Sequence, residues 1–409
     1  MSRLLLAFLF AGTATPAVAD SFTIKPLADL RLRYENVDQE GPPPIARDAD
    51  AFTLRVRAGG ELANKDWSFL VEGEGTLAIS EKYNSGLNGK TLFPIVADPE
   101  NIELDRIQVQ YRGLPRTVVT LGRQRINLDD QRFVGSVGWR QNEQTFDAAQ
   151  VEWSGVKDLK LDLVYSWSVR TIWGIDGGNS FGPARQQAVS GDNVFANASY
   201  KTRFGTLTGF AYLVDQDEAV ISGFRNSSRT FGARFAGSAP LGKSVKLNYA
   251  ASYAIQSAYH HNPNDYSADY YLLEGGLAVS GFTGTLGYEV LGANDGVLLT
   301  SFQTPLATLH KFQGWADKFL VTPPNGLHDY YASAGYGWKK VAGLDSISAS
   351  VAYHRFDSDR LDLHYGNERN ALISAKKGRW TATAKLASYD ADDFATDTHK
   401  LWLQLEWAY

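Results

Sequence analysis

The last nine residues constrain this chain most. Leu401, Leu403, Leu405, Trp407 and Tyr409 alternate with Trp402, Gln404, Glu406 and Ala408. A period of two is the pattern of a strand with two different faces. A strand this apolar at the end of a sheet presents an unpaired, sticky edge. In a closed membrane barrel the edge disappears, because the last strand pairs back onto the first. A buried strand of a soluble sheet is the alternative, and the start of the chain weighs against it.

Met1-Ser-Arg3 is a short positive segment, Leu4 to Gly12 is an apolar run, and Ala17-Val-Ala19 has the form of a cleavage site. Together they read as a secretory signal peptide over residues 1–19, leaving 20–409 as the exported part. The chain has no cysteine, so disulfide and thiolate chemistry are out of reach. No later stretch approaches the roughly 20 apolar residues of a membrane helix. The mean hydropathy is slightly polar at −0.26. Yet the chain carries 20 Tyr, 21 Phe and 10 Trp. A membrane barrel has this profile, since one face of each strand is apolar and the other polar, and the average conceals the membrane. The net charge of −5 argues against a nucleic-acid partner.

Alternation recurs along the whole chain. Ala28, Leu30, Leu32 and Tyr34 interleave with Asp29, Arg31, Arg33 and Glu35, and Phe52, Leu54 and Val56 interleave with Thr53, Arg55 and Arg57. Phe69 and Val71 are set against Glu72 and Glu74, and Ile107, Val109 and Tyr111 against Arg106, Gln108, Gln110 and Arg112. Leu159–Arg170 and Val245–Gln256 repeat the pattern. Counting weaker segments, about 18 strands are expected, an even number as bacterial barrels have. Short turns such as Asn64-Lys-Asp66, Gly113-Leu-Pro115 and Lys376-Lys-Gly378 alternate with long connections such as Glu81–Glu100, Asn127–Thr145 and Asn294–Leu327. Short periplasmic turns and long external loops define an all-β, antiparallel, up-and-down transmembrane β-barrel. It is expected as a single domain over 20–409 in the bacterial outer membrane, with lipid as its surroundings.

A charge facing the bilayer core costs roughly 2–4 kcal/mol, which orients each strand. The lumen is therefore expected to be lined by Arg31, Arg33, Arg55, Arg57, Glu72, Glu74, Arg106 and Arg112. Arg123 and Arg125 share a face with Val119 and Leu121, so parity alone leaves open whether that strand turns its arginines inward or bulges. Guanidinium forks suit carboxylates, and a row of them would favour an anionic solute. A ladder of ion pairs with Glu35, Glu72 and Glu74 would stiffen the wall instead and select nothing. In the long connection after Arg125, Asp129, Asp130, Arg132 and Arg140 are expected to pair with one another. Leu306, Leu309, Phe312, Ala316 and Phe319 fall near helical spacing in the longest loop, a segment able to fold over or into the pore mouth. The histidines His260, His261, His328, His354 and His364 sit in no nucleophile or metal motif, so neither an enzyme nor a metal or other cofactor is indicated.

Two runs carry a family resemblance. One is Gly122-Arg-Gln-Arg-Ile126 with Asp129-Asp-Gln-Arg-Phe-Val-Gly135, Gly138-Trp-Arg-Gln-Asn142 and Thr145-Phe-Asp147. The other is His310-Lys-Phe-Gln-Gly-Trp-Ala-Asp-Lys-Phe-Leu320 with Thr322–Tyr330. Both resemble the alginate-export family of outer-membrane barrels. The resemblance implies a porin-like channel of 18 strands with an arginine-lined lumen, passing anionic, uronate-type or neutral saccharides. Arg31, Arg33, Arg55 and Arg57 are the positions parity offers for that lining. The aromatic carboxyl-terminal strand likewise resembles the signal read by the barrel-assembly machinery, which is expected as a partner.

Overall fold

The computed structural model describes residues 21–41, 43–218 and 223–409. The signal-peptide reading over 1–19 lies outside the described residues.

Alternating side chains build eighteen strands. They are β1 (Thr23–Gln39), β2 (Ala49–Ala63), β3 (Trp67–Lys82), β4 (Asn101–Tyr111), β5 (Thr117–Gln124) and β6 (Thr145–Trp153). There follow β7 (Leu159–Arg170), β8 (Ala188–Lys201), β9 (Thr206–Val214), β10 (Ser228–Pro240), β11 (Val245–Ala258) and β12 (Ser267–Val279). The circuit ends with β13 (Phe282–Leu291), β14 (Leu327–Val341), β15 (Leu344–Asp357), β16 (His364–Lys377), β17 (Trp380–Ala391) and β18 (Thr398–Ala408). Each strand pairs antiparallel with its sequence neighbours, and β18 pairs with β1 from Asp29 opposite Ala408 to Gln39 opposite Thr398. The sheet is an 18-stranded closed barrel, so no strand is left with a free edge in the bilayer. Among the described residues no helix is long and apolar enough to cross a membrane.

Turns close one end at residues 64–66, 280–281 and 378–379, whereas the other end carries 83–100, 125–144 and 292–326. Outward Leu30, Val56, Val71, Leu163, Leu273, Leu286, Val351, Ile373, Leu386 and Leu403 stand exposed, as an apolar band requires. Aromatic girdles border it. Trp67, Phe282, Tyr336, Trp338 and Trp380 ring the short-turn end. At the long-loop end, outward tyrosines donate to neighbouring strands: Tyr34 to Asp50 (2.6 Å), Tyr253 to Asp269 (2.7 Å) and Tyr353 to Asn367 (2.6 Å). Ring and hydroxyl together suit the boundary between hydrocarbon and water.

Of the two longest connections, 292–326 takes the inward course its apolar spacing allowed, whereas 125–144 departs from the expectation of an external loop. Residues 125–144 and 292–326 fold back inside the barrel mouth, and Ile126, Leu128, Val134, Phe302, Leu306, Ala316 and Phe319 are buried in one cluster with Phe146, Phe195, Tyr270 and Trp402 of the wall. The loops also pair with each other through a parallel bridge between Val134 and Leu306. The helical spacing read over Leu306–Phe319 does not produce an α-helix. Only a single 3-10 turn forms, Leu309–Lys311, because the other loop takes the Leu306 carbonyl and the Thr308 N–H and Glu368 takes the N–H groups of Trp315 and Ala316.

Candidate functional site

The site is the constriction between the inward loops and the wall of β1 to β4. Arg31 on β1 lies directly opposite Arg55 on β2. Like charges in register are unfavourable on their own, so partners must hold them. Arg31 donates to Glu406 of β18, and Arg55 to Asp29. Arg57 is held by Glu74 on β3 and lies 3.2 Å from Glu143 at the loop's return. Arg106 donates to Glu72 at 2.7 Å. The expected acid partners are therefore present, together with Asp29 and Glu406 of the same alternating rows and with Asp98, Asp105 and Glu143, which strand periodicity does not reach.

Two of the arginines carry the loop as well. Arg31 Nη1 donates to the carbonyls of Gly138, Trp139 and Arg140 at 3.1, 3.0 and 3.1 Å. Arg33 Nη2 donates to the carbonyl of Trp139 at 2.6 Å, its Nη1 lies 3.4 Å from Asp98, and its guanidinium covers the Trp139 ring at 4.2 Å. Arg33 and Arg55 are shut off from solvent, while Arg106 and Arg125 remain partly open to the lumen.

The ambiguity at Arg123 and Arg125 resolves into opposite directions. Thr120 and Gln124 are the buried residues of β5, and Leu121 is exposed. Arg123 therefore lies on the outward face, level with exposed Ile107, and is neutralised by Asp147 at 2.7 Å. The strand ends at Gln124, and the chain then turns into the barrel. Arg125 is thus carried inward to Glu143, Glu72 (3.1 Å) and Asp105 (3.2 Å). Gly122 sits just before, at φ +114°, where a Cβ would run into the Ile107 carbonyl. Arg112 lies past the end of β4, exposed in the short turn, and joins none of this. Asp105 reaches the lumen through an irregularity opposite Glu72 and Gly73, which places it inward beside Arg106 and which a strict period of two cannot show.

Within the loop, the expected mutual pairing of Asp129, Asp130, Arg132 and Arg140 is replaced by bonds to other parts of the barrel. Asp129 accepts from Asn197 (3.0 Å) and Asp130 pairs with Arg234 (3.0 Å). Arg132 pairs with Glu289 of β13 at 2.6 Å, and Glu289 also accepts from Gln313 and from Tyr270 (2.7 Å). One carboxylate thereby ties both loops to one strand.

A second anchor lies across the mouth. Arg140 meets Asp317 (2.9 Å) and Glu35 (3.5 Å), and Lys400 also reaches Asp317 (3.0 Å). His310 Nδ1 lies 2.7 Å from Asp317 and its Nε2 2.6 Å from Lys385 Nζ. These partners assign the tautomer: Nδ1–H donates to the carboxylate and Nε2 accepts from the ammonium. Burial pushes the His310 imidazole down to about 3, and the Lys385 charge acts in the same direction. Lys385 also lies 4.1 Å from the Trp139 ring and 3.8 Å from the Trp315 ring. The carboxylate of Glu368 accepts from the backbone N–H groups of Trp315 and of Ala316 (3.0 Å), just after Gly314 at φ +77°. Lys385 and Glu368 were legible by strand parity. Their partners Trp139, His310 and Trp315 were not, because loop residues have no parity.

A closed 18-stranded barrel with an apolar outer band, two aromatic girdles and loops folded into its mouth is the architecture of an outer-membrane, porin-type channel. The alginate export family matches residues 28–289 of this chain. The chain belongs to that family, which is one of channels and not of enzymes. No curated protein matches. The fold is similar to Pseudomonas aeruginosa OccK9 (OpdG), at 15% identity and TM-score 0.70, and to Acinetobacter baumannii OccAB4, at 12% and 0.69. Pseudomonas aeruginosa OpdK, solved with vanillate, is 12% identical with TM-score 0.68. Each comparison covers 94% of this chain and 98% of the other.

Proposed function

We propose that this channel passes small or oligomeric hydrophilic solutes passively and favours anionic ones, with uronate-type saccharides as the class. The carrying observation is the facing pair Arg31 and Arg55, within an array that also holds Arg33, Arg57, Arg106, Arg125 and Arg140. Arg55 keeps Nε and Nη1 buried and without a partner. Arg106 and Arg125 stay partly open to the lumen, where a guanidinium fork can meet a carboxylate. The family description names export of a polyuronate, which agrees with this chemistry. Export of the chain through a cleaved signal peptide, and assembly guided by β18, complete the reading.

The ion pairing favours a second reading, a general porin. Arg31, Arg33, Arg55 and Arg57 all have carboxylate partners, so the field in the constriction could be close to balanced. Planar-bilayer reversal potentials under a salt gradient separate the two. Arg55→Gln together with Arg57→Gln should shift the reversal potential toward cations at low salt and weaken block by oligouronates. The shift should shrink as ionic strength rises, since screening acts over roughly 8–10 Å at ordinary salt. An unchanged potential at low salt leaves the general porin.

A further inference from the structure

We propose that the external mouth holds a capture site for amphipathic organic anions, on the outer side of the inward loops and sharing only Arg140 with the arginine array. The site is a cavity of about 410 Å³. It falls within the range of roughly 300–1,000 Å³ usual for small-molecule pockets. Its wall carries four cations, Arg140, Arg185, Lys318 and Lys400, and one carboxylate, Asp317. Asp317 is already shared by His310, Arg140 and Lys400. His310 adds no charge, being held neutral between Asp317 and Lys385.

Two of the cations have no carboxylate partner among the described residues. Lys318 reaches only the side-chain oxygen of Gln39 at 3.3 Å and lies 5.8 Å from the Tyr389 ring. Arg185 donates to the carbonyl of Gly86 at 3.2 Å and lies over the Trp173 ring at 5.0 Å. Burial, helped by Lys400, lowers the Lys318 ammonium to about 8 against the opposing pull of Glu368, Asp317 and Asp397. Apart from Gln39 the rest of the wall is apolar: Ile95, Ile172, Trp173 and Leu320 line it, with Ile95 and Leu320 exposed. Free cations beside an apolar wall select a solute with a carboxylate at one end and an apolar body. A polyhydroxylated acid would leave its hydroxyls facing isoleucine and leucine, which is unfavourable.

This inference rests on the channel reading but not on the arginine array, and the readouts keep them apart. Purified channel in planar bilayers is exposed to 3-phenylpropionate or to glucuronate, added to one side at a time. Phenylpropionate added on the long-loop side should block the current at lower concentration than from the short-turn side, and at lower concentration than glucuronate. Lys318→Gln with Arg185→Gln should raise the half-blocking concentration roughly tenfold, the loss expected for a charge-assisted hydrogen bond. The reversal potential should stay at the parent's value. Lys318→Arg should restore most of the block and shows that the wall has folded. Equal block from both sides, equal block by glucuronate, no block, or an unshifted double variant each overturns the capture site. None of these outcomes touches the Arg55 and Arg57 test.

Discussion

His310 shows how much one residue owes to its surroundings. As a sequence letter it is a histidine outside any motif. In the fold it bridges Asp317 and Lys385, with Arg140 close by on the other loop. Its imidazole is lowered from the ordinary 6.5 to about 3. Between those values a released His310 takes up a proton that the pinned one refuses. The pinned state therefore loses stability as pH falls below about 6.5, by at most about 1.4 kcal/mol per pH unit, and gains nothing from this group above it. Single-channel current noise should rise between pH 7 and pH 4. His310→Gln can donate to Asp317 and accept from Lys385 without titrating, so its noise should depend less on pH. Equal pH dependence in parent and variant would remove His310 from this role.

At the scale of an element, the loop 125–144 is held by guanidinium donors of β1 on one side and by Glu289 of β13 on the other. Trp139 is its keystone side chain. It stacks on His310 at 4.6 Å, carries Arg33 and Lys385 on its faces, and meets Trp402 edge-on at 5.9 Å. Truncating a packed tryptophan costs about 3–5 kcal/mol. That exceeds any single contact of the loop, so Trp139→Ala should free it. Single-channel conductance should rise and the open level become noisy, while the heat-modifiable barrel is retained because no strand pair involves Trp139. Unchanged conductance would mean that the loop does not set the narrow point.

The whole molecule depends on the β1–β18 seam. Trp407 pairs with Leu30 on one side and Trp380 on the other, and the Tyr409 N–H donates to the Ala28 carbonyl at 2.9 Å. Deleting Trp407–Tyr409 exposes these groups to lipid, where each unsatisfied one is costly. Heat-modifiable protein in the outer membrane should fall sharply, and normal insertion of the truncated chain would contradict the closure. Single cysteines at the exposed Phe181 and Leu298 should label in intact cells, and those at Lys65 and Gly242 should not. The reverse pattern would invert the barrel.

Strand number, barrel closure and the inward direction of Arg31, Arg33, Arg55, Arg57, Glu72 and Glu74 were determined by the sequence alone. The bilayer enforces a strict two-residue alternation, and a charge on the wrong face is expensive enough to fix each strand's orientation. Tertiary structure decided what those residues do. Arg31 and Arg33 hold a loop by its carbonyls, Arg123 and Arg125 part company where β5 ends, and Asp105 turns inward at an irregularity. Arg132 and Arg140 leave their own loop to pair with Glu289, Asp317 and Glu35. Such partners lie a hundred or more residues apart, or on segments without a repeat. Periodicity reports only which side of a strand a residue faces, and it is silent on which loop will come to meet it.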